Sequence, residues 1–263
     1  EIAADSIASS MMDRSVLNIQ DIVTFADIAD IEDVKPILDR QIAYNMAIAE
    51  EGICSNYGAN IGKVLLHTYG EDVKTKARAY AAAGSDARMN GCSLPVIICS
   101  GSGNQGITAS VPVIVYAREL GIDQDRLYRA LLVSNLATIH QKTGIGRLSA
   151  YCGAISAGCG SGAGIAYLMG DGYEVIAHTL VNSLAIVSGI ICDGAKASCA
   201  AKISTAVDAG LMGYAMYKQG QQFHAGDGIV AKGIEANITN IGLLAKEGMR
   251  ETDKEILTIM TGK

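Results

Sequence analysis

The most constraining feature of this sequence is an uncharged, glycine-rich stretch from Cys152 to Met169. Its five glycines are at positions 153, 158, 160, 162 and 164. A second stretch, Val175–Cys192, is also uncharged but contains polar residues such as His178 and Asn182. Segments this apolar belong inside a membrane or inside a protein core. The glycines, the polar residues and the absence of tryptophan anchors favour buried core helices, so we expect no membrane insertion.

Helical periodicity extends over most of the chain from about residue 33. A helix start is predicted at Asp33–Pro36, Asp123 is placed to cap another helix, and Thr252–Glu255 has a capping-box pattern. Longer helical stretches are predicted over 147–169, 174–191, 194–217 and 226–248. Residues 94–99 are the best strand candidate, although Pro95 weakens it. Because strands and helices do not alternate, we predict a mainly α chain with one compact helical domain over residues 31–263.

Length and charge narrow the class of protein further. The chain has 263 residues, enough for one large domain, and carries 21 basic against 27 acidic residues. A net charge of -6 without a basic stripe argues against a nucleic-acid-binding protein. Seven cysteines without a secretory signal predict reduced thiols in a cytoplasmic protein. The chain starts at Glu1, so residues 1–30 are interpreted as a residual segment linking to a missing upstream part.

A glycine motif at residues 100–106 has the pattern G-x-G-x-x-G. This pattern binds dinucleotides within a strand–helix–strand unit, but a second helix is predicted where the strand should follow. A nucleotide-binding oxidoreductase is therefore the third choice of function. Small residues before a helix start also suit an anion such as a carboxylate or phosphate. The predicted substrate-binding donors are Ser100, Ser102, Asn104 and Gln105, and the alternative is a tight turn with its polar side chains in water.

The cysteines include three pairs with a spacing of seven residues: Cys92/Cys99, Cys152/Cys159 and Cys192/Cys199. On a straight helix this spacing separates two thiols by about 10.5 Å, too far for one small metal centre. A metal would therefore take single thiols from several segments, and simple packing of each cysteine is the alternative. Cys152 and Cys192 stand out because both are predicted at helix ends, where backbone N–H groups favour a thiolate.

Five motifs in this order resemble those of the L-cysteine desulfidase family: Ser85–Met89, Ser100–Gly106, Arg147–Ser149, Cys152–Gly153 and 191–200. That family is related to the α chain of iron–sulfur L-serine dehydratases, and the resemblance runs from about residue 30 to the C-terminus. It implies a domain like the catalytic α domain of those enzymes. It also implies a [4Fe–4S] cluster held by three cysteines, with one iron left open as a Lewis acid.

The resemblance assigns Cys152 and Cys192 as cluster ligands. The third ligand of desulfidase-like members lies in a Gly-Cys-Thr-Glu-Pro motif that this chain lacks. Cys199 is the substitute candidate, because related serine dehydratases draw two ligands from the corresponding region. The missing motif also predicts that this chain is the C-terminal part of a longer protein. On its own, it is then expected to lack a complete cluster.

The implied reaction is β-elimination of L-cysteine to pyruvate, ammonia and hydrogen sulfide. The alternatives are a deaminase similar to L-serine dehydratase and a non-catalytic helical protein that has lost the cluster. Arg147 is the candidate cation for the substrate carboxylate, with a surface ion pair as its alternative. Lys196 and Lys202 are candidate proton carriers, or else face solvent. The expected partners are a small amino-acid substrate and, because thin helices pack closely, a second copy in a homodimer.

Overall fold

The computed structural model of the protein describes residues 13–146 and 149–262, most of which are helical. The helices are α1 (Ile19–Ile28), α2 (Ile31–Cys54), α3 (Ile61–Tyr69), α4 (Val73–Met89), α5 (Gly103–Leu120), α6 (Gln124–Ile145), α7 (Gly153–Leu168), α8 (Tyr173–Val187), α9 (Cys199–Lys218), α10 (Ile234–Leu243) and, after a π-helical turn (Leu244–Gly248), α11 (Arg250–Thr261). Within the described ranges no strand forms, and residues 94–99 make only an isolated bridge between Cys99 and Ser102. The predicted mainly α fold is confirmed, and the strand prediction is wrong.

Local capping signals explain several helix starts. Asp123 caps α6 as predicted, and its side chain accepts a hydrogen bond from the Arg126 N–H at 2.9 Å. Asp30 caps α2, so this helix begins before the predicted start and Pro36 lies inside it. The predicted capping box at Thr252 does not form, because α11 already begins at Arg250. A cap requires extended backbone at the capping residue, which a residue inside the first turn cannot adopt.

The glycine-rich helix α7 is buried on all sides among neighbouring helices. A Cβ atom added to Gly158 would lie 2.4 Å from the carbonyl group of Ala206 in α9. A Cβ atom added to Gly160 would lie 2.2 Å from the Thr138 hydroxyl in α6. The glycines therefore permit close backbone contact on two faces of α7, as expected for a core helix. None of the helices in the described part of the chain is long and apolar enough to cross a membrane.

Helix α1 lies within the segment that was predicted to be residual, and it packs onto the rest of the structure. Ile19, Ile22 and Ala26 are buried, and the Ile19 N–H donates to Glu235 of α10 at 2.8 Å. Residues 1–12 lie outside the described residues. The predicted boundary at residue 30 and the link to an upstream part therefore stay predictions.

Helix α3 takes its cap from another helix. Asn60, its own capping residue, has a left-handed backbone (φ 53°) and makes no side-chain cap. Instead, the buried carboxylate of Asp86 in α4 accepts the Ile61 N–H at 2.7 Å. Burial raises the pKa of Asp86, and the backbone N–H groups of Ile61 and Ala59 partly oppose that effect. Asp86 therefore ties the start of α3 to α4.

Replacing Asp86 by alanine is expected to lower the free energy of unfolding by about 1–3 kcal/mol, because the N–H groups at the start of α3 lose their buried acceptor. Urea unfolding followed by circular dichroism measures the change. Asp86→Asn is the matched control, since its amide oxygen can still accept from Ile61, and its loss should be smaller. Equal stability of Asp86→Ala and the unmodified protein would contradict the assigned cap.

Candidate functional site

Two short segments bring Cys152 and Cys192 together. Cys152 caps the start of α7, and Cys192 follows the end of α8. The Cys152 N–H donates to the Ile190 carbonyl at 3.2 Å, and the Cys192 N–H donates to the Ala150 carbonyl at 2.6 Å. These bonds pair the two segments in antiparallel orientation. The two thiols, 40 positions apart in the sequence, are thereby near enough to change each other's pKa.

The two thiols of this pair differ in their titration. The neighbouring Cys152 thiol lowers the pKa of Cys192 to about 6, against the opposing effect of burial. The Gly194 N–H and the positive charge of Lys202 add to this lowering. The neighbouring Cys192 thiol, together with burial, raises the pKa of Cys152. The surroundings of Cys192 therefore favour its thiolate, and a thiolate at Cys152 stays a prediction.

Cys199 lies near the pair but does not join it. Its thiol accepts from the Lys196 N–H and donates to the Gly194 carbonyl, both at 3.5 Å. A negative charge on Cys199 would raise the pKa of Cys152, so these two thiols are close enough to interact electrostatically. Over residues 13–146 and 149–262, no three His, Cys, Asp or Glu side chains are close enough together to bind a metal ion.

The loop before α9 changes the geometry expected for Cys192 and Cys199. Gly194 has a left-handed backbone (φ 94°), and residues 188–198 belong to no helix. The two cysteines are therefore not on one straight helix, and the separation of about 10.5 Å that such a helix would impose does not apply. The predicted long helices over 174–191 and 194–217 are correspondingly shortened at this loop.

A lysine outside the predicted site residues, Lys142, is within range of the charges of both thiols. Lys142 is in the last turn of α6 and is only 8% exposed. Burial lowers its pKa, and the negative charges of Cys192 and Cys152 act in the opposite direction. In the sequence it resembles an ordinary cation at a helix C-terminus, where lysine is common. Its burial and its neighbours are visible only in the folded structure.

The glycine motif is the start of a helix rather than a loop. Ser102 caps α5, so residues 103–106 form the first helical turn. Asn104 and Gln105, predicted to be loop donors, are buried at 8% and 6% exposure. The carbonyl oxygen of the Asn104 side chain accepts from Arg88 at 3.2 Å. The expectation of a loop is wrong because the Ser102 side chain and extended backbone suit an N-cap position.

Gln105 links this helix start to the thiol pair. A Cβ atom added to Gly153 would lie 2.0 Å from the Gln105 amide nitrogen, so the side chain contacts the backbone beside Cys152. Ser100 and Ser102 lie in the preceding turn, where Ser100 has a left-handed backbone (φ 50°). Among the predicted substrate-binding residues, Gln105 therefore contacts the backbone beside Cys152.

Several buried polar atoms around the start of α7 have no hydrogen-bond partner among the described residues. They are the side-chain oxygens of Gln105, Gln141, Tyr151 and Ser156. Burial raises the pKa of the Tyr151 hydroxyl, and the charges of Cys159 and then Cys152 add to this effect. Buried polar groups are nearly always paired, and each exception needs an explanation. The oxygen of Gln105 is the one whose side chain contacts the backbone beside Cys152 in the described structure.

The three predicted catalytic residues, Lys202, Lys196 and Arg147, differ in their surroundings. Lys202 forms an ion pair with Asp193; burial opposes its charge, but the bond to Asp193 raises its pKa. The Lys196 side chain is exposed. Arg147 lies outside the described residues. Catalytic roles for these three residues stay predictions, as does the expected homodimer.

Comparison with known proteins gives the family. The model of the family described as serine dehydratase alpha chain matches residues 4–258. The chain belongs to this serine dehydratase alpha chain family. The relation to serine dehydratase alpha chains that the five motifs predict is therefore confirmed at the level of the family, and the resemblance to L-cysteine desulfidases stays a prediction.

The curated relatives of this serine dehydratase alpha chain family member include three bacterial proteins named UPF0597. The one from Desulfitobacterium hafniense is 68% identical over 97% of this chain. Those from Lachnoclostridium phytofermentans and Treponema denticola are 56% and 51% identical, over 95% and 97% of it. The chain spans 60%, 60% and 61% of the length of these proteins, respectively. No solved structure matches it.

Proposed function

We propose that this chain carries the thiol site of an amino-acid lyase that performs β-elimination, with L-cysteine as its substrate. The observation that carries the proposal is the backbone pairing that brings Cys152 and Cys192 close together, with the buried Lys142 within range of their charges. Membership of the serine dehydratase alpha chain family supports lyase chemistry. The group of unpartnered polar atoms around the start of α7 supports a ligand at the same place.

The donor set fits part of an iron–sulfur cluster. Three thiolates would hold a [4Fe–4S] cluster with one open iron, and Cys152 and Cys192 suit two of these positions. Cys199 is the candidate for the third, because its charge already acts on Cys152. When bound, the cluster would supply a Lewis acid for the leaving group. Cys199 would have to leave its contacts with Lys196 and Gly194 to join the pair.

The chain's own residues suit the proton transfers of the reaction. Elimination removes a proton from the α-carbon and breaks the bond between the β-carbon and sulfur. The resulting enamine takes up water to give pyruvate and ammonia, and the sulfur leaves as hydrogen sulfide. Lys142 is the described cation whose burial and neighbouring thiols best suit it to hold or accept the proton. The nearby start of α5, with its N–H groups and Arg88, suits the substrate carboxylate.

Dehydration of L-serine is the second candidate. It requires the same removal of the α-proton but a hydroxyl leaving group in place of a thiol. The observation that favours it is the family itself, whose description names serine dehydratase. A non-catalytic protein that has lost the cluster is the remaining alternative, since no described group of three ligands is ready to bind a metal.

Iron binding and turnover test the proposal together. With Cys199 as the third ligand, the proposal predicts about four irons per chain after anaerobic reconstitution, in place of the incomplete cluster that the missing motif implies. It also predicts pyruvate with sulfide from L-cysteine faster than pyruvate from L-serine. Cys192→Ala should lose both iron and turnover. Cys54→Ala is the matched control, because Cys54 is an exposed free cysteine at the end of α2. Faster turnover of L-serine would favour the second candidate.

The outcome that would overturn the lyase assignment is absence of iron and of pyruvate from both substrates. The same measurement should be repeated on a chain as long as the relatives, since this chain spans about 60% of their length. Iron bound by the longer chain and lost in its Cys192→Ala variant would support the proposed ligands. Iron that is unaffected by this substitution would contradict them.

A further inference from the structure

A cavity of about 420 Å³ lies between the first half of α8 and the segment 222–234. Its lining starts at Tyr173, whereas the thiol pair follows the last turn of α8. The lining extends along α8 to Val181, six residues or about 9 Å before the end of the helix, and it includes no residue of the thiol pair. The volume falls within the range of small-molecule sites, about 300–1,000 Å³. The cavity is therefore separate from the proposed lyase site and large enough for a small metabolite.

One part of the lining suits a negative charge. Lys232 and Gly233 line the cavity, and α10 begins at the next residue, Ile234. Gly233 has no side chain with which to cap this helix. The N–H groups of the first turn therefore have no side-chain acceptor from their capping residue. Together with the ammonium group of Lys232, they suit a carboxylate.

Another part of the lining suits a positive charge. Glu174 accepts a hydrogen bond from the Tyr217 hydroxyl through one oxygen at 2.6 Å, which leaves its second oxygen for a ligand. The side-chain oxygen of Gln222 is buried and finds no partner within the described residues. The ring of His178 also lines the cavity, and it stacks on the ring of Tyr217 with their centroids 4.3 Å apart. A carboxylate and an amide oxygen are acceptors that suit an ammonium group.

The rest of the lining is mostly apolar, with Ala177, Val181 and Phe223 among its members. A ligand that matches the whole cavity has a carboxylate, an ammonium group and a small apolar body. We propose that this cavity binds a free α-amino acid with an apolar side chain, at a second site distinct from the thiol pair. The proposal does not depend on the proposed lyase function.

Isothermal titration of the chain with L-valine tests the proposal. Two analogues separate the charges: 3-methylbutanoate lacks the ammonium group, and L-valinamide lacks the carboxylate. Each is expected to bind about tenfold more weakly than L-valine, because each loses a charge-assisted contact. Equal binding of all three compounds, or no binding of L-valine, would overturn the proposal.

Single substitutions test whether L-valine binds in this cavity. Lys232→Ala should weaken L-valine binding about tenfold, whereas Lys74→Ala, at an exposed lysine of α4, should leave it unchanged. Ala177→Phe should abolish binding by filling the cavity, and its thermal unfolding would verify that it still folds. Cys192→Ala should bind L-valine as the unmodified chain does. Loss of binding in Cys192→Ala, or unchanged binding in Lys232→Ala, would place L-valine elsewhere and contradict the proposal.

Discussion

Gly158→Val is expected to prevent the chain from forming a stable domain. A Cβ atom at this position would lie 2.4 Å from both the carbonyl carbon and the carbonyl oxygen of Ala206. Those atoms are backbone of α9, so they cannot rotate away as a flexible side chain could. Relief would require α7 and α9 to separate along a buried interface. The expected cost exceeds about 4 kcal/mol, a large share of the 5–15 kcal/mol that stabilises an ordinary domain.

Circular dichroism and urea unfolding would show this loss as reduced helix content or a much lower midpoint. Gly189→Val is the matched control, because Gly189 is exposed and a Cβ atom there has no neighbour within 4 Å. That variant should have nearly the same unfolding midpoint as the unmodified protein. If Gly158→Val were as stable as Gly189→Val, the close contact between α7 and α9 would be wrong.

Lys142→Met is expected to lower kcat/KM for β-elimination by about 10²–10⁴, the usual range for loss of a group that transfers a proton. Lys142 is buried within range of the charges of Cys152 and Cys192, and burial lowers its pKa. A lysine whose charged form is destabilised by burial exchanges its proton more readily near neutral pH. Methionine retains an unbranched apolar side chain and removes only the amine, so the fold should persist.

The measurement is kcat/KM with L-cysteine, together with iron content and the unfolding midpoint of each variant. Lys246→Met is the matched control, since Lys246 is exposed in the π-helical turn after α10. It should leave kcat/KM unchanged. Full activity of Lys142→Met with normal iron content would exclude Lys142 from proton transfer. Loss of iron in this variant would instead assign it a role in holding the cluster.

The sequence was sufficient for the helical architecture, because that depends on local patterns. Apolar spacing and the Asp123 cap predicted α6, and the absence of charge between Cys152 and Met169 predicted a buried α7. Family motifs also identified Cys152 and Cys192 before their proximity was known. Helix ends were less predictable where a residue far away in the sequence supplies the cap, as Asp86 does for α3.

The composition of the site depended on contacts between distant segments. Cys152 and Cys192 meet because residues 150–152 and 190–192 pair through backbone hydrogen bonds, which leave no local pattern. Lys142 resembled a surface lysine until packing buried it within range of the charges of both thiols, and Gln105 resembled a loop donor until the Ser102 cap placed it in a helix. Periodicity and capping act over a few residues and can be recognised in a sequence. Burial, charge and neighbours come from parts of the chain that meet only when it folds.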